Sequence, residues 1–447
     1  MKVHFIAIGG SAMHNLAIAL KLKGYEVSGS DDEIFSPAKE RLEKYNILPD
    51  NVGWDEKKIT KDLDAIILGM HAKEDNPELI KAKQLGLKIY SYPEFLYEMS
   101  KDKKRIVIGG SHGKTTTTAM ILHAMQHCGI ETDYMVGALL EGFEVMVKMT
   151  EEAEYMVLEG DEYLTSTLDK RPKFHLYKPD IAIITGIAWD HINVFPTFEI
   201  YKEQFQIFAD KIEKNGTLIY CNEDENVRRI AENSRADIEK LPYVAFDYKI
   251  EKGNTYIIYK GKEYLIQVFG KHNLMNMYAA MLATEKVGIS NEDFLASMQS
   301  FKGASKRLEL VKKTDSVSVY KDFAHSPSKL KATIEAVKDW FPNRKLVACM
   351  ELHTFSSLTS EFLQQYKGTM DKADVSMVYY NKHAIELKRL PDLNKQDVYE
   401  AFDKQGLKVY TDVKDMLTDL HKIEMKDVCI LMMSSGNFDG IDLNNIF

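Results

Sequence analysis

A chain of 447 residues exceeds what one hydrophobic core usually serves, so about three domains are expected at roughly 150 residues each. Hydrophobic residues make up 45% and charged residues 28%, which excludes a disordered or fibrous chain. With 58 Lys+Arg against 67 Asp+Glu, the net charge of -9 excludes a general nucleic-acid binder, and any phosphate binding must be local.

The N-terminus MKVHFIAIGG enters an apolar strand-like run directly, without the basic and apolar regions of a secretory signal. The longest unbroken apolar stretches, such as Val428 to Met433, fall short of the ~18 residues that span a bilayer, so no membrane partner is expected. Cys128, Cys221, Cys349 and Cys429 are scattered without C-x-x-C spacing and read as buried, reduced thiols of a cytoplasmic protein.

Short β-rich runs alternate with helical-period segments, the pattern of α/β domains. The first group holds Val3 to Ile8, Glu26 to Ser28, Ala65 to Leu68 and Lys88 to Ser91, with a helical stretch from Met13 to Leu22, and forms a Rossmann-like unit. The charged segment Ser100 to Lys104 sets a boundary near residue 102. The second group opens with Arg105 to Ile108 and continues through Tyr155 to Leu158, Ile181 to Thr185 and Thr217 to Tyr220. A hairpin-like stretch, Thr255 to Val268, and a helix from about Asn273 to Val287 follow. After the segment FKGASKR, strands at Val317 to Tyr320, Leu346 to Met350, Ser376 to Tyr379 and Cys429 to Met433 make a third unit. The fold class is therefore α/β in three domains: an N-terminal Rossmann-like domain (1–102), a central P-loop ATPase-like domain with a mostly parallel sheet (103–303), and a C-terminal Rossmann-like domain (304–447).

The strongest chemical signal is Gly109-Gly110-Ser111-His112-Gly113-Lys114-Thr115-Thr116, between a strand and the helical pattern Thr118 to Gln126. Glycines let backbone N–H groups face phosphates, a lysine reaches β/γ oxygens, a hydroxyl ligates Mg²⁺, and the helix N-terminus adds its dipole. Ile108 stands where the standard spacing asks for glycine, so this is the shorter G-x-x-G-K-T form.

Glu159-Gly160-Asp161-Glu162 ends one strand and Asp190-His191 follows another, where α/β sheets place ligands. Such groups can hold Mg²⁺ beside a nucleotide, or can be a solvated acidic turn and a satisfied histidine. After the first strand, Ile8-Gly9-Gly10-Ser11-Ala12-Met13 departs from G-x-G-x-x-G, with Ala7 and Ala12 in place of glycines. Asp31, about 20 positions on, supplies the acidic residue that such a site uses to hydrogen-bond a ribose or base.

Taken together, these segments resemble the Mur ligases, the ATP-dependent amide-forming enzymes of peptidoglycan synthesis. GSHGKTT is similar to the family's ATP loop, EGDE and WDH to its magnesium segments and GKHNLMN to its adenine-contacting segment. SKRLEL with YKDFAHSP is similar to the start of its C-terminal domain. The resemblance implies ATP and Mg²⁺ as cofactors. Gly110, Ser111, His112, Gly113, Lys114, Thr115 and Thr116 would cradle the phosphates, and Thr115, Glu159 and His191 would hold the metal. Asn273 and Asn276 would meet the adenine side, Arg307 the phosphates, and Asp322 with His325 the ribose and phosphate region. Lys114, His191 and Glu159 would be catalytic.

IGGSAMHNLA and GSD resemble the branch that takes UDP-N-acetylmuramate, implying Gly9, Gly10, Ser11, Asp31 and His71 around that substrate in the 1–102 domain, and an acceptor site in the 304–447 domain. Members of this branch add either L-alanine or the recycled tripeptide L-alanyl-γ-D-glutamyl-meso-diaminopimelate. EGDEYLTSTLDKRPKF, DFAHSP and MSSGNFDGI resemble the tripeptide-adding enzymes, so the tripeptide is the expected acceptor and L-alanine the alternative. The chain departs from the family pattern at Gly160, Ser326, the segment MELHTFSSL, and Gln206, where other members carry a carbamylated lysine. The implied chemistry is phosphorylation of the muramate carboxylate to an acyl phosphate, followed by attack of the acceptor amine, with hinge closure expected near residues 102 and 304.

Overall fold

The computed structural model describes residues 1–140, 142–251, 254–304 and 308–443. Its architecture is α/β with four sheets. The first contains β1 (Lys2–Ile6), β2 (Glu26–Ser30), β3 (Ala65–Leu68) and β4 (Ile89–Ser91), in the order β2-β1-β3-β4 and all parallel. Its central strand β3 is wholly apolar, as a strand covered on both faces must be, and β1 is buried from Val3 onward, with His4 paired to Glu78 at 3.2 Å.

The second sheet contains β5 (Lys104–Gly109), β6 (Thr132–Met135), β7 (Val147–Lys148), β8 (Tyr155–Glu159), β9 (Ile181–Ile184), β10 (Thr217–Cys221) and β11 (Glu239–Tyr243). The order is β11-β10-β9-β5-β8-β6-β7, and only β7 runs antiparallel to its neighbour. A small antiparallel sheet follows, β12 (Asp247–Glu251), β13 (Asn254–Tyr259) and β14 (Lys262–Ile266). Lys260 and Gly261 between the last two strands have φ of 48° and 74°, the positive values that a tight two-residue hairpin turn needs.

The last sheet contains β15 (Glu309–Lys313), β16 (Val317–Asp322), β17 (Lys345–Leu352), β18 (Val375–Tyr380), β19 (Lys408–Tyr410) and β20 (Val428–Met433). Its order is β15-β16-β20-β17-β18-β19, parallel except for β15. Two apolar clusters pack here, one around Leu330, Ile334, Tyr366 and Phe402, the other around Val347, Met416, Ile430 and Phe438.

The described chain forms two compact units. One comprises 1–187, 202–243 and 279–294, the other 188–201, 244–278 and 295–447. The boundary near residue 102 therefore falls inside the first unit, and the segment there is bound by Arg105. That side chain is buried and donates to the carbonyls of Ser100 (3.0 Å), Lys101 (2.7 Å), Lys103 (3.0 Å) and Lys178 (2.9 Å), while Nη2 lies 3.2 Å from Asp180. These charge-assisted bonds order the segment 100–103 against the loop before β9. The other expected hinge, near 304, adjoins residues 305–307, which lie outside the described residues.

Two further expectations need correction. Cys221, Cys349 and Cys429 are buried, but Cys128 is exposed, because it follows the last turn of the helix Lys114–His127 where the chain turns out to solvent. That helix begins at Lys114 rather than Thr118, so the lysine and the threonine run form its first turn.

Candidate active site

The first constellation lies at the C-terminal ends of β1, β2 and β3. A cavity of about 410 Å³ is lined there by Gly9, Gly10, Ser11, Asp31 and His71, together with His14, Trp54 and others. All five expected residues are thus brought together, where the strand order reverses between β1 and β3 and an open parallel sheet offers a crevice. The Gly9 amide donates to Asp31 Oδ2 at 2.7 Å. A Cβ at position 9 would stand 2.9 Å from that oxygen and 3.1 Å from Ile34, so this close approach requires glycine. Burial pushes the Asp31 carboxyl up to about 6, against the Gly9 hydrogen bond and with help from neighbouring Asp32.

The second constellation lies at the end of β5, the strand between β8 and β9. Gly113, at φ 80°, caps the helix Lys114–His127 in a left-handed conformation suited to glycine. The loop is anchored by Ser111 N to Gly186 O (2.9 Å) and by the Thr185 hydroxyl, which donates to the carbonyls of His112 and Gly109. First-turn amides and the helix dipole make this end a receptor for anions.

Lys114 Nζ donates to Gly110 O at 2.5 Å and to Glu162 Oε2 at 2.6 Å. Burial works to discharge this lysine, but the carboxylates of Glu162, Asp161 and Glu159 outweigh it and raise its pKa. Thr115 Oγ1 donates to Glu159 Oε1 at 2.8 Å, and the second oxygen of Glu159 accepts from Gly137 N at 2.8 Å. Thr115 and Glu159 are two hard oxygen donors at adjoining strand and helix ends. They fit Mg²⁺, which takes few protein oxygens and completes its shell with phosphates and water. Among the described residues there is no cluster of three or more His, Cys, Asp and Glu side chains that could hold a metal.

A strap, residues 161–173, connects the two constellations within this unit. Thr167 donates from its amide to Met70 O and from its hydroxyl to Ala72 O, both at 3.1 Å, on either side of His71. Arg171 chelates Asp169 and reaches Glu94 at 3.1 Å, while Lys173 Nζ pairs with Asp161 at 2.6 Å.

His191 belongs to the second unit, as do Asn273, Asn276, Asp322 and His325. The chain turns sharply at His191 (φ 56°), whose carbonyl accepts from Val194 N and Phe195 N. Ile192 packs on the core of the last sheet. Burial opposes ionisation of Asp190, but His191, Lys329 and His325 keep its carboxyl below the usual range, which places these charges around one carboxylate. His325 Nδ1 lies 2.8 Å from Phe323 O.

Asp322 accepts from Leu308 N (2.7 Å) and Ala324 N (2.8 Å), so its carboxylate orders the start of β15 and the turn after β16. Asn273 Nδ2 donates to Phe269 O (2.8 Å), and Asn276 is buried on the same helix, Lys271–Glu285. Arg307 lies outside the described residues. Sequence reasoning missed the partnership of Glu162 with Lys114, although Glu162 belongs to the acidic segment it singled out. It also missed Thr167 and Thr185, which carry no motif signal.

Comparisons with known proteins agree with this geometry. Residues 2–104 match the Mur ligase family catalytic domain, 108–284 the Mur ligase middle domain, and 306–436 the Mur ligase glutamate ligase domain. The UDP-N-acetylmuramate–L-alanine ligase of Sulfurihydrogenibium sp. (strain YO3AOP1) is 31% identical over 449 residues, 98% of this chain and 95% of that protein. The structure of the UDP-N-acetylmuramate-alanine ligase of Thermotoga maritima is similar with a TM-score of 0.68, at 20% identity, covering 98% of this chain and 96% of that one. That of a murein peptide ligase from Psychrobacter arcticus has a TM-score of 0.63, at 22% identity, covering 98% and 97%. With a phosphate loop, an acidic strand end and matches that follow the chain from residue 2 to 436, this protein belongs to the Mur ligase family of ATP-dependent ligases.

Proposed function

We propose that the chain joins the carboxylate of UDP-N-acetylmuramate to the amine of L-alanine, with ATP and Mg²⁺. The observation that carries this reading is one compact unit holding both a phosphate loop and a separate cavity lined by Gly9, Gly10, Ser11, Asp31 and His71. The 31% identity over nearly the whole chain to an L-alanine-adding relative favours that acceptor. The functional domains would run 1–102 for the nucleotide sugar, 103–303 for ATP and 304–447 for the acceptor.

In this reading the muramate carboxylate oxygen attacks the γ-phosphorus, ADP departs, and an acyl phosphate forms. The acceptor amine then attacks the acyl carbon and releases inorganic phosphate. Lys114 neutralises charge on the β/γ oxygens, and the loop amides and helix N-terminus fix the phosphates in line. Mg²⁺, held by Thr115 and Glu159, would supply further neutralisation of the phosphates. The attacking nitrogen must lose a proton, and His191 and His325, both close to the charge of Asp190, are the candidates for the base. Asn273 and Asn276 on one helix face would meet adenine.

A second reading keeps the tripeptide L-alanyl-γ-D-glutamyl-meso-diaminopimelate as acceptor. It is favoured by the segment DKRPKF, which resembles the tripeptide-adding branch and is built into the strap through Arg171 and Lys173. ADP release with UDP-N-acetylmuramate, comparing L-alanine with the tripeptide, tests both. Preference for L-alanine supports the first reading and preference for the tripeptide the second. ADP release that ignores UDP-N-acetylmuramate overturns both.

A further inference from the structure

The acidic segment at the end of β8 presents three carboxylates with three different partners. Glu159 takes the Thr115 hydroxyl and the Gly137 amide, Asp161 takes Lys173, and Glu162 takes Lys114. Glu162 stands apart because its side chain is only 2% exposed and meets the lysine at 2.6 Å. A carboxylate buried against the phosphate-binding cation is costly in electrostatic terms, since it competes with the phosphates for the same charge. Nothing in the reaction outlined above uses it.

The geometry of the ammonium supplies a use. A lysine head carries three donors on rotatable bonds and is a point charge without directional preference of its own. In this chain two donors are committed, one to Gly110 O at 2.5 Å and one to Glu162 Oε2 at 2.6 Å. With two of the three tetrahedral directions fixed, the third is fixed as well. Asp161 acts on Lys114 through its charge, while its carboxylate bonds Lys173 at 2.6 Å on the strap.

We propose that Glu162 is a positioning residue for phosphoryl transfer, which spends ground-state attraction between Lys114 and the nucleotide to aim the remaining donor at the oxygens that gain charge in the transition state. The proposal rests on the ATP-dependent reading above. It separates the roles in the acidic segment, with Glu159 serving the metal side and Glu162 the lysine. It also predicts an opposed pair of effects. Deleting the negative charge makes nucleotide binding tighter, while turnover falls because the ammonium is no longer aimed.

The test uses Glu162→Gln, with Glu162→Asp as a shortened carboxylate, in the full chain. Calorimetry with a non-hydrolysable ATP analogue and Mg²⁺ should show binding about two- to five-fold tighter in Glu162→Gln, as expected when a like charge is removed from an anion site. UDP-N-acetylmuramate affinity should stay within about two-fold, and kcat should fall at least about ten-fold, the scale of one oriented charge in phosphoryl transfer. Glu162→Asp should keep wild-type analogue affinity and recover part of kcat. Turnover within about two-fold of wild type in a folded Glu162→Gln overturns the proposal. Loss of analogue binding together with a lowered melting temperature also overturns it, by showing a purely structural role. If the wild type releases no ADP with UDP-N-acetylmuramate, the functional reading fails. The analogue binding then still decides, because unchanged or weaker binding in Glu162→Gln removes the basis for the pair.

Discussion

Thr167 donates its hydroxyl to the carbonyl of Ala72, 95 residues away in the chain and 3.1 Å away in space, and so clamps the turn that presents His71 to the cavity. The substitution Thr167→Val keeps the shape and the backbone N–H but removes this donor. One such hydrogen bond contributes about 1 kcal/mol, so KM for UDP-N-acetylmuramate should rise about five-fold while KM for ATP stays unchanged. Thr167→Ser should restore it. Initial-rate kinetics with each substrate varied in turn check the split, and an unchanged sugar-nucleotide KM would show that the clamp is idle.

Glu159 accepts from both Thr115 and Gly137, so its carboxylate is fixed before any cation arrives. Glu159→Gln should lower kcat at least about 100-fold and raise the Mg²⁺ concentration for half-maximal rate. A magnesium titration of ADP release measures both, and an unchanged half-saturation point would move the metal to other residues.

Asp31 gives the cavity lined by Gly9, Gly10 and His71 a pH signature. Burial raises its carboxyl from the ordinary 3.8 to about 6 in the folded chain, so the fold holds a proton that the unfolded chain releases. The associated stability is fully present below 3.8 and is lost as pH rises to about 6. Asp31→Asn, whose side-chain oxygen can still accept from Gly9, should therefore gain melting temperature relative to wild type at pH 8 and lose that advantage at pH 4. Identical differences at the two pH values would refute the assignment.

Arg105 should dominate the stability of the first unit. Truncation to Ala removes the side-chain donor from the carbonyls of Ser100, Lys101, Lys103 and Lys178, while Asp180 keeps only the Arg105 amide, a loss of about 2–3 kcal/mol for a buried guanidinium whose carboxylate partner is partly exposed. Lysine cannot reproduce the fork, so Arg105→Lys should recover little. Urea unfolding midpoints distinguish this from a surface pair, whose loss costs below about 1 kcal/mol.

The sequence announces what is apolar and central. Strands β3, β9 and β20 are continuous hydrophobic runs, β5 and β17 hold such runs at their centres, and the phosphate loop carries its glycines and lysine in a recognisable order. The strands that escaped notice are mostly edges. β11 (EKLPY), β15 (ELVKK) and the three-residue β19 carry charge or proline, as edge strands do to resist further pairing, and so lack a strand's apolar signal. The helix start at Lys114 was hidden because a run of four β-branched threonines is a poor helix signal until the loop and Gly113 fix its first turn. The grouping of Asp190 and His191 with the last sheet could not be read locally, since it depends on Ile192 meeting a core built from residues far along the chain. Similarly, nothing in the motif DFAHSP tells that Asp322 is engaged by the amides of Leu308 and Ala324.

The guanidinium of Arg105 also determines how the first unit opens. Because it binds the carbonyls of Ser100, Lys101, Lys103 and Lys178, the end of the helix Tyr92–Ser100 and the β5 strand that leads into Gly110 share one buried network. Amide hydrogen exchange should then report one common opening free energy for that helix end and β5. Arg105→Ala should lower that shared value and speed exchange along β5 up to Gly109.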